Sequence, residues 1–289
     1  MGKARVESWE VSDEFWARVE PLIPARVVAF KDASLRKRRA GAGRPAKPAR
    51  QVFEAVMFVL RTGCQWKALP KERFGSASSV HKRFLEWEQA GFFESLWKAG
   101  LAEYDQMEGI AWRWQSIDGA MFKAPMAQEG AGPNPTDRGK KGSKRHLLVD
   151  GRGVPLSLVV TGANVHDSKG LELVLDAIVV KRPNPPRRRS KHLCADAAYT
   201  GTKHAETMRR HGYIPHVVSR KQEATSKRRN PQHTARRWVV EVCHSWFNRF
   251  RKLLVRYEKL DRSFTALNHL AAAIIAFRKV PLSVNLIYG

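Results

Sequence analysis

Residues 145–161 read Arg-His-Leu-Leu-Val-Asp-Gly-Arg-Gly-Val-Pro-Leu-Ser-Leu-Val-Val-Thr. An apolar run ends at Asp150, Gly151 to Gly153 make a turn, and a second apolar run extends from Val154 to Thr161. Two such runs joined by a glycine-bounded turn predict a β-hairpin. Upstream, Trp114–Ala124 is another β-like run and carries Asp118 in Ser-Ile-Asp-Gly. Downstream the pattern alternates. Ser168–Val180 reads as a helix with Leu171, Val174, Leu175 and Ile178 on one face. His192–Ala195 is a strand ending at Asp196, Thr202–His211 a helix, and Ile214–Ser219 a strand. Three strands followed by helix, strand, helix, strand, helix predict an α/β fold with a ribonuclease-H-like core. Its mixed five-stranded sheet would have flanking helices, an antiparallel meander and then right-handed parallel crossovers. The first and fourth strands of such a sheet are neighbours, which would bring Asp118 and Asp196 together across 78 residues of sequence.

The first hundred residues read as helical. Ser12 is placed to cap a short helix bearing Phe15, Trp16 and Val19. Val52, Phe53, Val56, Phe58, Val59 and Leu60 suit a buried helix over 49–61. Further helices are expected over 78–89 and 92–107. The basic connector 31–50 is either a solvated loop or a segment lying along phosphates. The helix pair ending at 89 either enters a DNA groove, with Lys82 and Arg83 in its early turns, or serves structure and assembly. The chain therefore divides into an all-α part, 1–110, and an α/β part, 111–289. A long helix is expected over 234–259 and an apolar one over 264–279.

The 289 residues include 52 Lys plus Arg against 27 Asp plus Glu, a formal net charge of +25. That excess predicts salt-sensitive attraction to nucleic acid through counterion release. With 43% hydrophobic residues the chain can bury a core, which argues against disorder throughout. The cysteines Cys64, Cys194 and Cys243 form no CxxC pair, so neither a disulfide framework nor a zinc site is expected. A reducing cytoplasm suits them. No apolar leader is expected at the N-terminus, and the longest apolar stretch, Leu270–Phe277, is too short to span a bilayer.

Asp118, Asp196 and Glu241, the last in Arg-Arg-Trp-Val-Val-Glu, are carboxylates in a strongly basic chain. Two-metal phosphoryl transfer needs such hard anionic oxygens on a rigid frame. Asp118 would bridge both ions, Asp196 would hold one and Glu241 the other. Against this stands the ordinary surface ion pair: Glu241 has Arg237 four residues earlier. Arg237, Asn248 and Lys252 lie on the expected polar side of the same helix, with Thr234, His244 and Ser245, and Arg249, Arg251 and Arg256 are nearby as phosphate ligands, unless this is simply a solvated basic face. Other basic segments, 138–145 with Lys140, Lys141, Lys144 and Arg145 and 220–237, point to DNA as well. His166 and Asp167 in Asn-Val-His-Asp-Ser either touch the reacting strand or, with Asp167 or Ser168 as cap, begin a helix. Tyr199 either braces the metal site or packs.

Ser-Ile-Asp-Gly, Gly-Lys-Lys-Gly-Ser-Lys-Arg-His-Leu-Leu-Val-Asp-Gly-Arg-Gly-Val-Pro-Leu, Thr-Gly-Ala-Asn-Val-His-Asp-Ser, Ala-Asp-Ala-Ala-Tyr and Arg-Trp-Val-Val-Glu resemble, in this order, motifs of bacterial DDE transposases of insertion sequence family five, within the wider family-four superfamily. Trp-Lys-Ala-Leu-Pro and Ser-Ser-Val-His-Lys-Arg-Phe resemble that group's helical leading domain. The resemblance implies a metal-binding triad of Asp118, Asp196 and Glu241, two Mg²⁺ ions for which Mn²⁺ substitutes, and a nucleoid-associated bacterial protein. It also implies recognition of terminal inverted repeats in double-stranded DNA, strand cleavage, and transfer of the 3′-hydroxyl into target DNA by a homodimer or higher assembly. A metal-dependent nuclease without strand transfer and a non-catalytic repressor are the alternatives. The family's last motif often reads Tyr-x-x-Arg-x-x-x-Glu-x-x-x-x-x-x-Lys; here Thr234 and Asn248 take the Tyr and Lys positions around Arg237 and Glu241. The stretch between Ser219 and Glu241 is too short for the inserted β-domain of some relatives.

Overall fold

The computed structural model describes residues 9–25, 47–181, 190–217, 225 and 236–280. Most of the 31–50 and 181–191 connectors, the 220–233 loop, Thr234 and Ser219 therefore lie outside the described residues. Helix α1 (Asp13–Val19) begins where Ser12 Oγ accepts the Phe15 N–H at 3.1 Å, and it buries Phe15 and Val19. Helix α2 (Ala49–Thr62) buries the apolar face read from the sequence and stops at Gly63, whose φ of 75° suits glycine. A short α3 (Lys71–Phe74), α4 (Ala77–Gln89) and α5 (Phe92–Glu108) complete the helical part.

Then come β1 (Trp114–Lys123), β2 (Gly132–Pro133), β3 (Lys141–Val149), β4 (Pro155–Gly162), α6 (Asp167–Asp176), β5 (Lys191–Ala195), α7 (Thr202–Arg210) and β6 (Tyr213–Val217). Strands β1 to β3 and β3 to β4 pair antiparallel; β5 lies parallel to β1, and β6 parallel to β5. The order β4-β3-β1-β5-β6 is the ribonuclease-H-like arrangement expected from the sequence. The two-residue β2, which pairs with β3 at Gly132 and Pro133, makes a sixth strand that the sequence did not announce.

Alternation sends Ile117, Leu148, Leu193 and Ala195 to one face, where they pack with α6 and α7 through Leu171, Val174, Leu175 and Met208. Leu147, Val149, Leu156 and Leu158 belong to the other core, shared with α8 (Trp238–Asn248), α9 (Asp261–Phe277) and the N-terminal helices. Helix α9 is buried almost all round, which explains why its sequence is apolar without a polar stripe. It packs against α5, and the Trp97 indole N–H of α5 reaches the Pro155 carbonyl of β4 at 3.1 Å. Secondary structure changes near residue 110, but the core runs on from α1 to α9 without a break.

One expected element differs. The helix predicted over 234–259 is α8 alone. Phe250 takes φ −92° and ψ 94°, a single 3-10 turn follows over Arg251–Leu253, and Val255 bridges to Lys123 of β1. The Arg256 N–H then donates to the Lys123 carbonyl at 2.8 Å. Apolar spacing continued through 250 and 253, but pairing with the sheet outcompeted helical propensity. The apolar spacing of the sequence predicts a stripe of Val239, Val242, Cys243, Trp246, Phe250, Leu253 and Tyr257; the inward face of α8 is instead Val240, Cys243, His244 and Phe247, and Tyr257 is exposed.

Candidate active site

Strands β1 and β5 are in parallel register with Ser116 opposite Cys194. Two residues further along β1, Asp118 faces the α8 side by alternation with Ile117, and two residues beyond Cys194 comes Asp196. Strand β5 stops there. Asp196 turns out of it, its Oδ1 accepting the Ala198 N–H at 2.8 Å to cap the turn Ala197–Tyr199. Strand β1 runs on, so Asp118 sits where it outlasts its neighbour. Burial raises the Asp118 acid from its ordinary 3.8 to about 6. The charges of Asp196 and Asp167 push in the same direction, while a hydrogen bond from the Gly119 amide and the charge of Arg237 oppose them.

Asp167 comes from the other side of the sheet, at the first turn of α6. Its Oδ1 is 3.0 Å from Lys144 Nζ and 3.8 Å from His146 Nδ1. His146 is fully buried; burial, partly offset by Asp167, brings its acid constant down to about 4 and leaves it a neutral ring bonded to Thr161 Oγ1 at 2.9 Å. Tyr199 is buried, and its hydroxyl makes no hydrogen bond among the described residues. Burial first, and then the charges of Asp167, Asp118 and Asp196, hold the phenol well above its ordinary range. His166 is exposed and is itself the cap of α6, accepting the Ser168 N–H at 3.3 Å, a role the sequence reading gave to Asp167 or Ser168. The residue of that motif which turns inward is Asp167.

Glu241 stands apart. It lies on α8, a helix tied to β1 by the Ser116 hydroxyl donating to the Arg236 carbonyl at 3.2 Å. Its side chain is 55% exposed, with Oε1 3.6 Å from Arg237 Nε. Among the described residues, no three His, Cys, Asp or Glu side chains converge closely enough to hold one metal ion. Asp118 thus lies where the charges of Asp196 and Asp167 act on it, and Glu241 lies beside Arg237.

The candidate DNA-binding residues separate into two groups. Lys82, Lys140, Lys141, Asn248 and Arg249 are exposed and Arg237 is partly so. Arg83 is partly exposed and pairs with Glu86 at 2.9 Å. Lys144, Arg145 and Lys252 do not lie on the surface. Within β3, neighbours point to opposite faces and both faces are covered. Lys144 is held by Asp167 and by the Val165 carbonyl at 2.7 Å. Arg145 lies 4.3 Å over the Phe247 ring and bonds Asn268 Oδ1 at 3.2 Å, and burial takes its acid constant down to about 10. Lys252 pairs with Glu258 at 3.1 Å, both nearly inaccessible. Arg256, another expected phosphate ligand, is buried on Gly130, Ser143 and Asp261. His244, expected on the polar side of its helix, is buried too.

Residues 115–276, more than half of the chain, match the family described as "Transposase DDE domain", and residues 11–97 match "Putative transposase of IS4/5 family (DUF4096)". A Burkholderia cepacia protein, "Putative transposase for insertion sequence element IS402", is 38% identical over 130 residues, 44% of this chain and 59% of that protein. The match thus spans under two thirds of that relative. A second, "Insertion element IS402 uncharacterized 16.2 kDa protein" from the same organism, is 28% identical over 126 residues, 43% of this chain and 80% of that protein. Among solved structures, "Crystal structure of a pre-cleavage Mos1 transpososome" is 13% identical with a TM-score of 0.27, covering 84% of this chain and 83% of that one, a likeness too slight to carry an argument. Among the described residues no helix is long and apolar enough to cross a membrane. A DDE domain implies dependence on a divalent metal. By the match over residues 115–276, joined to that over 11–97, the chain belongs to the DDE transposase family, in its IS4/IS5 branch.

Proposed function

We propose that this protein is a DNA transposase that binds terminal inverted repeats, cleaves DNA strands by metal-assisted hydrolysis and transfers the 3′-hydroxyl end into target DNA. Asp118, Asp196 and Glu241 are its metal-binding catalytic carboxylates. The observation that supports the reading is the β1–β5 register, beyond whose last pair, Ser116 and Cys194, Asp118 and Asp196 each follow by two residues, joined to the family match. The donors suit a hard divalent ion. They are carboxylate oxygens, and Asp118 is raised to about 6 by burial and neighbouring acids, a strain that a cation relieves. Two Mg²⁺ ions, or Mn²⁺ in their place, would supply an activated attacking oxygen and charge stabilisation at the leaving oxygen.

The protein's own groups do the positioning. Asp196 is fixed by its backbone cap and Asp118 by its strand. Arg237 neutralises Glu241 while DNA is absent; a phosphate competing for that guanidinium frees Glu241 toward the cleft. Lys82, Lys140, Lys141, Asn248 and Arg249 are left to meet the backbone of double-stranded DNA, both transposon ends and target, and the net charge of +25 favours that encounter. Residues 1–110 serve DNA binding and assembly as a homodimer or larger complex, and 111–289 the chemistry. A nucleoid-associated place in the bacterial cytoplasm follows from that partner.

The test is a supercoiled plasmid carrying the inverted repeats that flank the gene, incubated with the full chain and Mg²⁺. Cut ends and joined products are expected, and both should vanish in Asp118→Asn and Asp196→Asn. Free ends without joined product would make the protein a nuclease, and DNA binding without cleavage a repressor. Undiminished products from Asp118→Asn would remove the assignment of the site.

A further inference from the structure

Strand β1 begins at Trp114, which shares a face with Ser116 and Asp118. That face carries a stack of rings. The Trp114 indole lies on the His192 imidazole of β5, with centroids 4.2 Å apart and planes 17° apart. His216 of β6 adds a third ring, its Nε2 2.8 Å from His192 Nδ1, so that one imidazole donates an N–H to the other. Burial, then the charges of His216, Arg113 and Arg236, lower the His192 acid constant, and burial lowers that of His216. The paired rings therefore stay neutral at pH 7. Arg236, just ahead of α8, sets its guanidinium 4.4 Å from the centre of the Trp114 ring. Its backbone is tied to the same strand, because the Ser116 hydroxyl donates to its carbonyl at 3.2 Å. Arg236 is exposed, and among the described residues its guanidinium has neither a carboxylate partner nor a hydrogen bond. Its neighbour Arg237, by contrast, stands 3.6 Å from Glu241. An exposed arginine ordinarily samples many rotamers, and ordering it on binding costs free energy. The aromatic face has already narrowed that choice here, while the donor fork is left unmatched.

We propose that Arg236 binds a phosphate of the DNA, held ready for it on the platform of Trp114, His192 and His216. This rests on the reading of the protein as a DNA transposase whose reacting strand lies at Asp118. Trp114 stands four residues before Asp118 on one face of β1, so the phosphate that Arg236 meets is roughly 13 Å along the strand from the reacting one. The plain structural role would be a staple that fastens the start of α8 to β1 through Trp114. The two roles differ in what they move. A staple acts on stability and leaves the salt dependence of DNA binding alone; a phosphate ligand changes that dependence.

The experiment is filter binding of the full chain to a duplex carrying the inverted repeat that flanks the gene, over a salt series and with chelator present so that no strand is cut. Arg236→Gln should weaken binding about tenfold. It should also reduce the slope of log affinity against log salt by about 0.9, the share of one phosphate. Arg236→Lys keeps the charge and should keep the slope, while losing about two- to fivefold in affinity with the stacked fork. Duplexes with a single neutral methylphosphonate probe the same contact from the DNA side. At one position the wild type should bind about as weakly as Arg236→Gln does to the unmodified duplex, and Arg236→Gln should lose nothing more there. An unchanged slope in Arg236→Gln, or a further loss in that variant at every methylphosphonate position that weakens the wild type, overturns the proposal. Lower thermal stability of Arg236→Gln with wild-type DNA binding would leave only the staple. If the wild type fails to bind the duplex, or binds it without salt dependence, the DNA reading of the whole protein fails. If Lys140→Gln lowers the slope and Arg236→Gln does not, only the role of Arg236 fails.

Discussion

Asp118 on β1 and Asp196, the first residue after β5, each lie two residues beyond the paired Ser116 and Cys194. Keeping Asp118 ionised there opposes folding when no cation is bound. Its acid is raised from 3.8 to about 6, so the folded state holds this proton more tightly than the unfolded chain does. The contribution of Asp118 to stability is therefore greatest below about 3.8 and is lost as pH rises through about 6. In chelator-treated protein, Asp118→Asn should stabilise the fold at pH 8 by about 3 kcal/mol, and the gain should shrink steadily toward pH 4. Urea unfolding at a series of pH values measures it. A gain that grows as the pH falls would contradict the raised acid.

Asp150 belongs to the motif that suggested the family, yet its surroundings are structural. It is fully buried. One oxygen accepts the Tyr104 hydroxyl and the Ala111 N–H, both at 3.0 Å; the other accepts the Arg152 and Val154 amides, both at 2.9 Å. It thereby pins the β3–β4 turn to the end of α5. Asp150→Ala leaves those donors buried and should cost about 3 kcal/mol or more. Equilibrium unfolding checks this, and a loss under about 1 kcal/mol, well below that expected for a buried hub, would mean water replaces it easily.

Elements with a strong local period were legible in the sequence. Strands β1 and β4 and helices α2, α5, α6 and α7 begin and end within a few residues of the expected bounds. Strand order, and with it the meeting of Asp118 and Asp196, followed from the alternation of elements. Burial of long basic side chains was not legible. Lys144, Arg145, Lys252 and Arg256 read as surface charge because a one-dimensional sequence does not show partners such as Asp167, Phe247, Glu258 and Asp261. Asp167 was legible as a residue touching the reacting strand or as a helix cap, not as the partner of a buried lysine. Its close approach to β1 depends on the side chain that Gly119 lacks.

The buried Lys252–Glu258 pair separates stability from DNA binding. Lys252 Nζ also donates to the Cys64 carbonyl at 3.2 Å, joining the end of α2 to the segment after α8. Lys252→Met strands Glu258 in the interior and should cost about 3–5 kcal/mol, while Lys252→Met/Glu258→Gln should regain most of it. The salt dependence of DNA binding should be unchanged in the double variant. Replacing exposed Lys140 or Lys141 should instead reduce the slope by about 0.9 for each phosphate that is no longer neutralised. Filter binding across a salt series distinguishes the two, and a reduced slope in the double variant would return Lys252 to the DNA surface.

Helix α5 packs on α9 at Gly100. A Cβ there would lie 3.0 Å from the Phe277 ring and 3.3 Å from Ala276 Cβ. Replacing a helical glycine by alanine ordinarily gains about 1 kcal/mol, so Gly100→Ala should come out near neutral, the gain offset by the crowding. Gly100→Val adds more volume than the neighbouring ring can yield and should destabilise by about 1–3 kcal/mol. Because α9 also packs on β4, the damage should reach the sheet as well as the helices. Calorimetry should therefore record one transition in the wild type and one, at lower temperature, in Gly100→Val. Two separated transitions, with only the lower one moved by the substitution, would mean that residues 1–110 unfold as an independent unit despite the shared core.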